Sequence, residues 1–135
     1  MVDRDIALAK ASIIERCLAR IADIRGRAAD QDAIDATDLN LLRAIQAAID
    51  LAAHVVADEG YGLPDTVAGH FTLLEKAGLL DAALAERLRK MVGFRNVLVH
   101  AYQDVDRAIV ESIVARHLDD LRRFAAAIAR RFLAA

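Results

Sequence analysis

The 135-residue chain has one proline, six glycines, two tyrosines, four phenylalanines and no tryptophan. That scarcity argues against a β-sandwich or barrel, whose strands and turns draw on β-branched, aromatic and turn-forming residues. The single cysteine, Cys17, excludes an internal disulfide and fits a reducing compartment. Charge of one sign is lacking too. Eighteen Lys and Arg against twenty Asp and Glu leave a formal net charge of −2, so no global basic field exists to hold nucleic acid. No basic segment precedes an apolar stretch near the N-terminus, and no apolar run is expected to approach the ~18 residues of a membrane span. A cytoplasmic protein without membrane association is expected.

What the chain has is apolar residues, 56 % of the total, and 29 alanines, the best helix former. The length suits one domain over residues 1–135, and the composition suits an all-α fold. A first helix starts near Asp3 or Asp5, carries Ile6, Ile13, Cys17, Ile21 and Ile24 at helical spacing, and ends at Gly26. A polar stretch from Arg27 to Asp35 follows. Thr37 is a candidate N-cap for a second helix running to about Asp58 on Leu42, Ile45, Ile49, Ala53 and Val56. The breaker Gly60-Tyr61-Gly62-Leu63-Pro64 precedes a short helix from Asp65 to Ala77, with Val67, Phe71 and Leu74 inward and Gly78 at its left-handed end. Asp81 caps a fourth helix that continues through Gly93, where close packing is expected. Asp106 caps a last one, with Ile109, Ile113, Leu121, Phe124, Ile128 and Phe132 inward. Four long helices and one short one make an up-down bundle. Ile14, Leu18, Leu41, Leu51 and Val55 fall outside the single stripes, a surplus that points to a homodimer.

Metal chemistry lacks a ligand set. There is no H-E-x-x-H and no second cysteine, and the pair Asp50 and His54 on one helix face does not make a site. His70 and His117 read as packing or surface residues, and Cys17 as a small core residue. Glycine-rich phosphate loops and G-x-S-x-G are absent. No cofactor is expected.

The run Phe94-Arg95-Asn96-Val97-Leu98-Val99-His100-Ala101-Tyr102 concentrates an arginine, an amide, an imidazole and a phenol. Asn96 and His100 are four apart on one helix face, where the amide can fix the imidazole. Arg95 and His100 are what metal-free cleavage of an RNA phosphodiester needs. A group titrating near neutrality moves the protons of the 2′- and 5′-oxygens, and a planar guanidinium meets charge on the non-bridging oxygens. Arg87, Arg89 and Lys90, with Glu86 the nearby opposing charge in sequence, are a candidate RNA-binding patch. One histidine cannot serve both sides of the phosphate in one step, so a two-fold axis near His100 completes the site. Capping and packing at a helix end is the competing account of the same residues.

The longer run Met91-Val92-Gly93-Phe94-Arg95-Asn96-Val97-Leu98-Val99-His100-Ala101-Tyr102 resembles the R-x-x-x-x-H-x-Y motif of the HepT-like toxins of HEPN/MNT toxin–antitoxin systems. The polar residue after the arginine and the Gly-Phe lead-in also match; elsewhere the similarity is one of helix order and length over nearly the whole chain. The resemblance implies a HEPN-type up-down four-helix bundle with one additional short helix, dimerising with its motifs across the axis. It further implies a metal-independent endoribonuclease with Arg95 and His100 catalytic and Asn96 supporting, leaving 2′,3′-cyclic phosphate ends. It implies a partner as well, a minimal nucleotidyltransferase (MntA-like) antitoxin that moves AMP from ATP to the motif tyrosine, matched by Tyr102. Because a phenol titrates near pH 10, the transferase is expected to supply the base. The alternative is a non-catalytic helical module that serves as partner and AMP acceptor; it has no chemical use for His100.

Overall fold

A computed structural model describes residues 1–27 and 30–134. In chain order it contains α1 (Arg4–Arg25), α2 (Gln31–Glu59), α3 (Gly69–Lys76), α4 (Ala82–His100), a 3-10 turn (Tyr102–Asp104), α5 (Arg107–Arg116), α6 (Leu118–Ile128) and a π-helical turn (Ala129–Leu133). Four helices begin on an aspartate whose carboxylate accepts otherwise unpaired first-turn N–H groups: Asp3, Asp30, Asp81 and Asp106. α2 ends on Gly60 at φ 68°, which lets the Tyr61 N–H reach back to the Val56 carbonyl at 3.0 Å. The long α1 and α2 form the main layer, and α4 and α6 close over it with α3 packed against α2 and α4.

The all-α bundle agrees with the sequence, and several boundaries do not. α2 starts on Asp30 instead of Thr37, so most of the stretch taken as polar connection is helix; its Ala28 and Ala29 lie outside the described residues. α3 starts at Gly69, because Thr66 Oγ1 accepts the Gly69 N–H at 3.1 Å and Pro64 packs against the glycine's bare α-carbon. Val67 is accordingly exposed. The last helix is two, broken at His117 (φ −121°, ψ 0°), which lies three residues before the buried Asp120 it contacts. Ile109 and Ile6 point outward, and Phe132 is half-buried. Gly93 is exposed, with open space where a side chain would begin, so it marks no close packing within the chain.

The apolar surplus is also accounted for internally. Ile14, Leu18, Leu41, Leu51 and Val55 are all fully buried, because α1 and α2 are covered on more than one side. Leu42 and Ala53, expected in the α2 stripe, are only half-buried. α2 also amends the expectation about apolar runs. Its 18-residue window of mean hydropathy 1.3 is long and apolar enough to cross a membrane, yet most of that window is buried in the bundle.

Burial of this kind sets a stability scale. Leu51 is 0 % exposed, and Leu51→Ala is expected to cost about 2–5 kcal/mol through lost transfer energy and a cavity. The fully exposed Leu63, changed to alanine, is expected to stay within about 0.5 kcal/mol. Urea midpoints at unchanged slope measure both.

Candidate active site at the end of α4

The last turns of α4 separate their side chains by helical phase. Leu98 is buried and holds this end of the helix to the core, while Asn96, Val97, Val99 and His100 face outward. Arg95 and His100 lie about 140° apart around the axis, so they flank Asn96 instead of sharing one stripe. His100 is the final residue of α4 and is exposed. Among the described residues no hydrogen bond joins Asn96 to His100, so the expected orienting contact is not made within one chain. Arg95 has no carboxylate or hydrogen-bond partner there, and its Nε is buried and unsatisfied.

After His100 the helix stops, and Tyr102 does not align with Arg95. The 3-10 turn carries Tyr102 over α2, where its hydroxyl lies 2.9 Å from Asp38 Oδ2 and 3.1 Å from Asp35 Oδ1. One proton serves one carboxylate at a time, and Asp38 is nearer. Asp38 is only 3 % exposed and also accepts from Arg107 Nη1 at 2.9 Å, while Asp35 accepts from Gln31 at 2.8 Å. The hydrogen bond to Asp38, followed by burial and the negative charge of both carboxylates, pushes the phenol up to about 12. Tyr102 is still 45 % exposed.

The three cations upstream do not form one patch. Arg89 turns toward α3, donating to Glu75 at 3.1 Å, with Thr72 at 3.4 Å. Arg87 pairs with the buried Asp120 at 3.0 Å, and His117 contacts the same carboxylate at 3.2 Å. Arg87 and Lys90 rim a groove of about 260 Å³ between α4 and the α5–α6 corner, floored by Met91, Phe94 and Ile113. Sequence alone placed only Glu86 against these cations, and Glu86 does approach Lys90, at 3.8 Å. The remaining candidates are ordinary contacts. Asp50 bonds Lys10 and Gln46, His54 meets Asp58 and the Asp3 N–H, and His70 Nδ1 faces the Val67 carbonyl. Cys17 is buried in α1, and burial pushes its thiol up. Among the described residues no three His, Cys, Asp or Glu converge as metal ligands.

The residues missed by sequence reasoning are Asp35, Asp38 and Arg107. A signal existed: Asp38 stands three residues before Leu41 and seven before Ile45, on the buried stripe of α2. With Thr37 as the cap, Asp38 fell at the very start of the helix, where the stripe was read only from Leu42 onward.

The all-helical bundle has the fold of the HEPN toxins. Residues 8–128 match the Ribonuclease HepT-like family, and the chain belongs to it. It is 37 % identical over 124 residues to the mRNA nuclease HepT of Shewanella oneidensis, covering 89 % of this chain and 93 % of that protein. The tri-AMPylated Shewanella oneidensis HEPN toxin, solved in complex with MNT antitoxin, is similar at a TM-score of 0.88 and 36 % identity, covering 95 % of this chain and 99 % of that one. YutE, a cytosolic protein of Bacillus subtilis, shares the fold at a TM-score of 0.85 and 16 % identity, covering 99 % of this chain and 96 % of its own.

The Tyr102 contact carries a pH signature. A phenol raised from 10 to about 12 on folding contributes stability that is complete below pH 10 and is lost as the pH rises through 12. Urea unfolding of wild type and Tyr102→Phe across that window is expected to show the steeper alkaline loss in wild type.

Proposed function

We propose that this chain is the ribonuclease toxin of a HEPN/MNT pair, acting as a homodimer and silenced by AMP transfer to Tyr102. The observation that carries the nuclease reading is Arg95, a guanidinium at the end of α4 with no anion of its own beside an exposed imidazole. The Arg95 charge has no partner among the described residues, and the outer nitrogens of the guanidinium, unlike the buried Nε, are where an RNA phosphate would bind. Val97 and Val99 in the last turns of α4 and Tyr102 just beyond it expose apolar surface, which supports a second copy docking there.

Two chains facing across an axis bring two Arg95 and two His100 to one phosphate. One neutral imidazole takes the 2′-hydroxyl proton as that oxygen bonds to phosphorus; the other, as imidazolium, gives its proton to the departing 5′-oxygen. The guanidinium groups hold the non-bridging oxygens as charge builds on them. The products are a 2′,3′-cyclic phosphate and a 5′-hydroxyl, and no metal is needed because both proton transfers and the charge are served by side chains. Asn96, beside His100 on the outer face, supports the partner's substrate or imidazole. Lys90 meets a flanking phosphate at the groove, whereas Arg87 and Arg89, held by Asp120 and Glu75, take no part. RNA and ATP set the work in the cytoplasm.

The partner in this reading is a minimal nucleotidyltransferase. AMP on Tyr102, two residues from His100, adds bulk and negative charge where a substrate phosphate must enter.

His100→Ala is expected to lower RNA cleavage at least about 100-fold while leaving helical circular dichroism and dimer mass unchanged. Cleavage by wild type is expected to persist in excess EDTA. Arg95→Lys should regain only part of what Arg95→Ala loses, since the ammonium keeps the charge without the planar fork. RNA left uncleaved by wild type would leave the chain a binding module and AMP acceptor, full activity of His100→Ala would remove the imidazole from the chemistry, and activity abolished by EDTA and restored by magnesium would overturn the metal-free mechanism.

A further inference from the structure

The hydroxyl that receives AMP must give up a proton, and in this chain it already faces an acceptor. Tyr102 Oη lies 2.9 Å from Asp38 Oδ2, and the Asp38 side chain cannot easily turn away. It is nearly buried in α2 and is gripped on its outer side by Arg107 at 2.9 Å. Asp35, one turn earlier on the same helix, offers a second oxygen at 3.1 Å. The titratable groups facing the phenol are therefore Asp35 and Asp38 from α2, with Arg107 of α5 supplying the counter-charge.

We propose that Asp38 is the proton acceptor in adenylylation of Tyr102, with Asp35 assisting, so that the toxin supplies the base for its own silencing. This rests on the reading of Tyr102 as the AMP acceptor. In the step, Tyr102 Oη forms a bond to the α-phosphorus of ATP, and the bond from that phosphorus to the pyrophosphate oxygen breaks. Pyrophosphate leaves, and the phenol proton passes to the Asp38 carboxylate, from which solvent later removes it. The carboxylate pair makes free phenolate rare, so proton transfer accompanies attack instead of preceding it. Once esterified, the tyrosyl oxygen has no proton to donate, and the new phosphate anion stands beside Asp35. Both contacts to α2 are lost, and the turn is driven outward over His100.

This division of labour leaves the partner to bind ATP and stabilise the leaving pyrophosphate, and it makes the geometry of the toxin's own turn a requirement of neutralisation. A purely structural Asp38 would hold the turn in place and have no bearing on how the rate depends on pH.

The test is the initial rate of AMP incorporation by intact mass, using full-length toxin, its cognate nucleotidyltransferase and ATP. Asp38→Asn is expected to be slower by about 100-fold, the lower range for loss of a general base. With Asp35 also changed to Asn, so that no carboxylate faces the phenol, the rate should climb about tenfold per pH unit below the phenol's pKa, where solvent must take the proton, while wild type stays flat above the carboxylate range and a flat profile in the double variant overturns the proposal. Asp35→Asn should slow the reaction less and keep the flat profile. If Asp38→Asn loses its helical signal, Asp38→Glu decides. A displaced carboxylate slows transfer but keeps the profile flat, whereas a climbing profile overturns the proposal. Equal or faster labelling of folded Asp38→Asn also overturns it and leaves Tyr102 as acceptor. A wild type that gains no AMP removes both.

Discussion

A carboxylate on the buried stripe of a helix has to be met by donors, because an uncompensated buried charge costs several kcal/mol. Asp38 sets that condition for α2. Arg107 and Tyr102 satisfy it from opposite ends of the segment between α4 and α5. Their convergence fixes where α4 stops, how the 3-10 turn crosses α2 and where α5 begins. The exposed end of α4, with His100 as its last residue, is held in place by this polar tie on one side and by buried Leu98 on the other.

The same arrangement explains why the site reads as half of something. Helical phase sends Leu98 inward, which leaves Val97, Val99 and His100 outside, and the Arg95 guanidinium has a buried nitrogen with no acceptor. Apolar groups at a surface and a cation without an anion are different deficits, and in the proposed function a second chain and an RNA phosphate remedy them together. Tyr102, the AMP acceptor in the proposed function, is part of the polar tie itself. On this account, regulation and architecture share one hydroxyl group, and chemistry on that oxygen is felt at the catalytic end of the helix.

Much of this was legible in the sequence. The all-α class follows from alanine and helical periodicity, and Asp81 and Asp106 cap the helices they were expected to cap. The motif run carried the family. Other features were hidden for identifiable reasons. Asp30 and Thr37 both have capping side chains, and taking Thr37 leaves Asp35 in the polar connection and Asp38 at the very start of the helix, ahead of the stripe read from Leu42. The corner at His117 depends on Asp120 meeting Arg87, a contact 33 residues distant that no local pattern encodes. The scattering of Arg87 and Arg89 has the same origin, since Glu75 and Asp120 oppose them only in three dimensions. Apolar residues outside one stripe read as an interface in the sequence, whereas α1 and α2 are each covered on more than one side, which a single-stripe pattern does not anticipate.

In the proposed function, one RNA phosphate is served by the α4 ends of two chains. Co-expressing wild-type and His100→Ala chains with different tags, and purifying on both, isolates a dimer with a single His100. The account predicts that this heterodimer loses at least about 100-fold in RNA cleavage, because one proton transfer has no agent. A heterodimer with half the wild-type rate would mean that each chain carries a complete centre, and would contradict it.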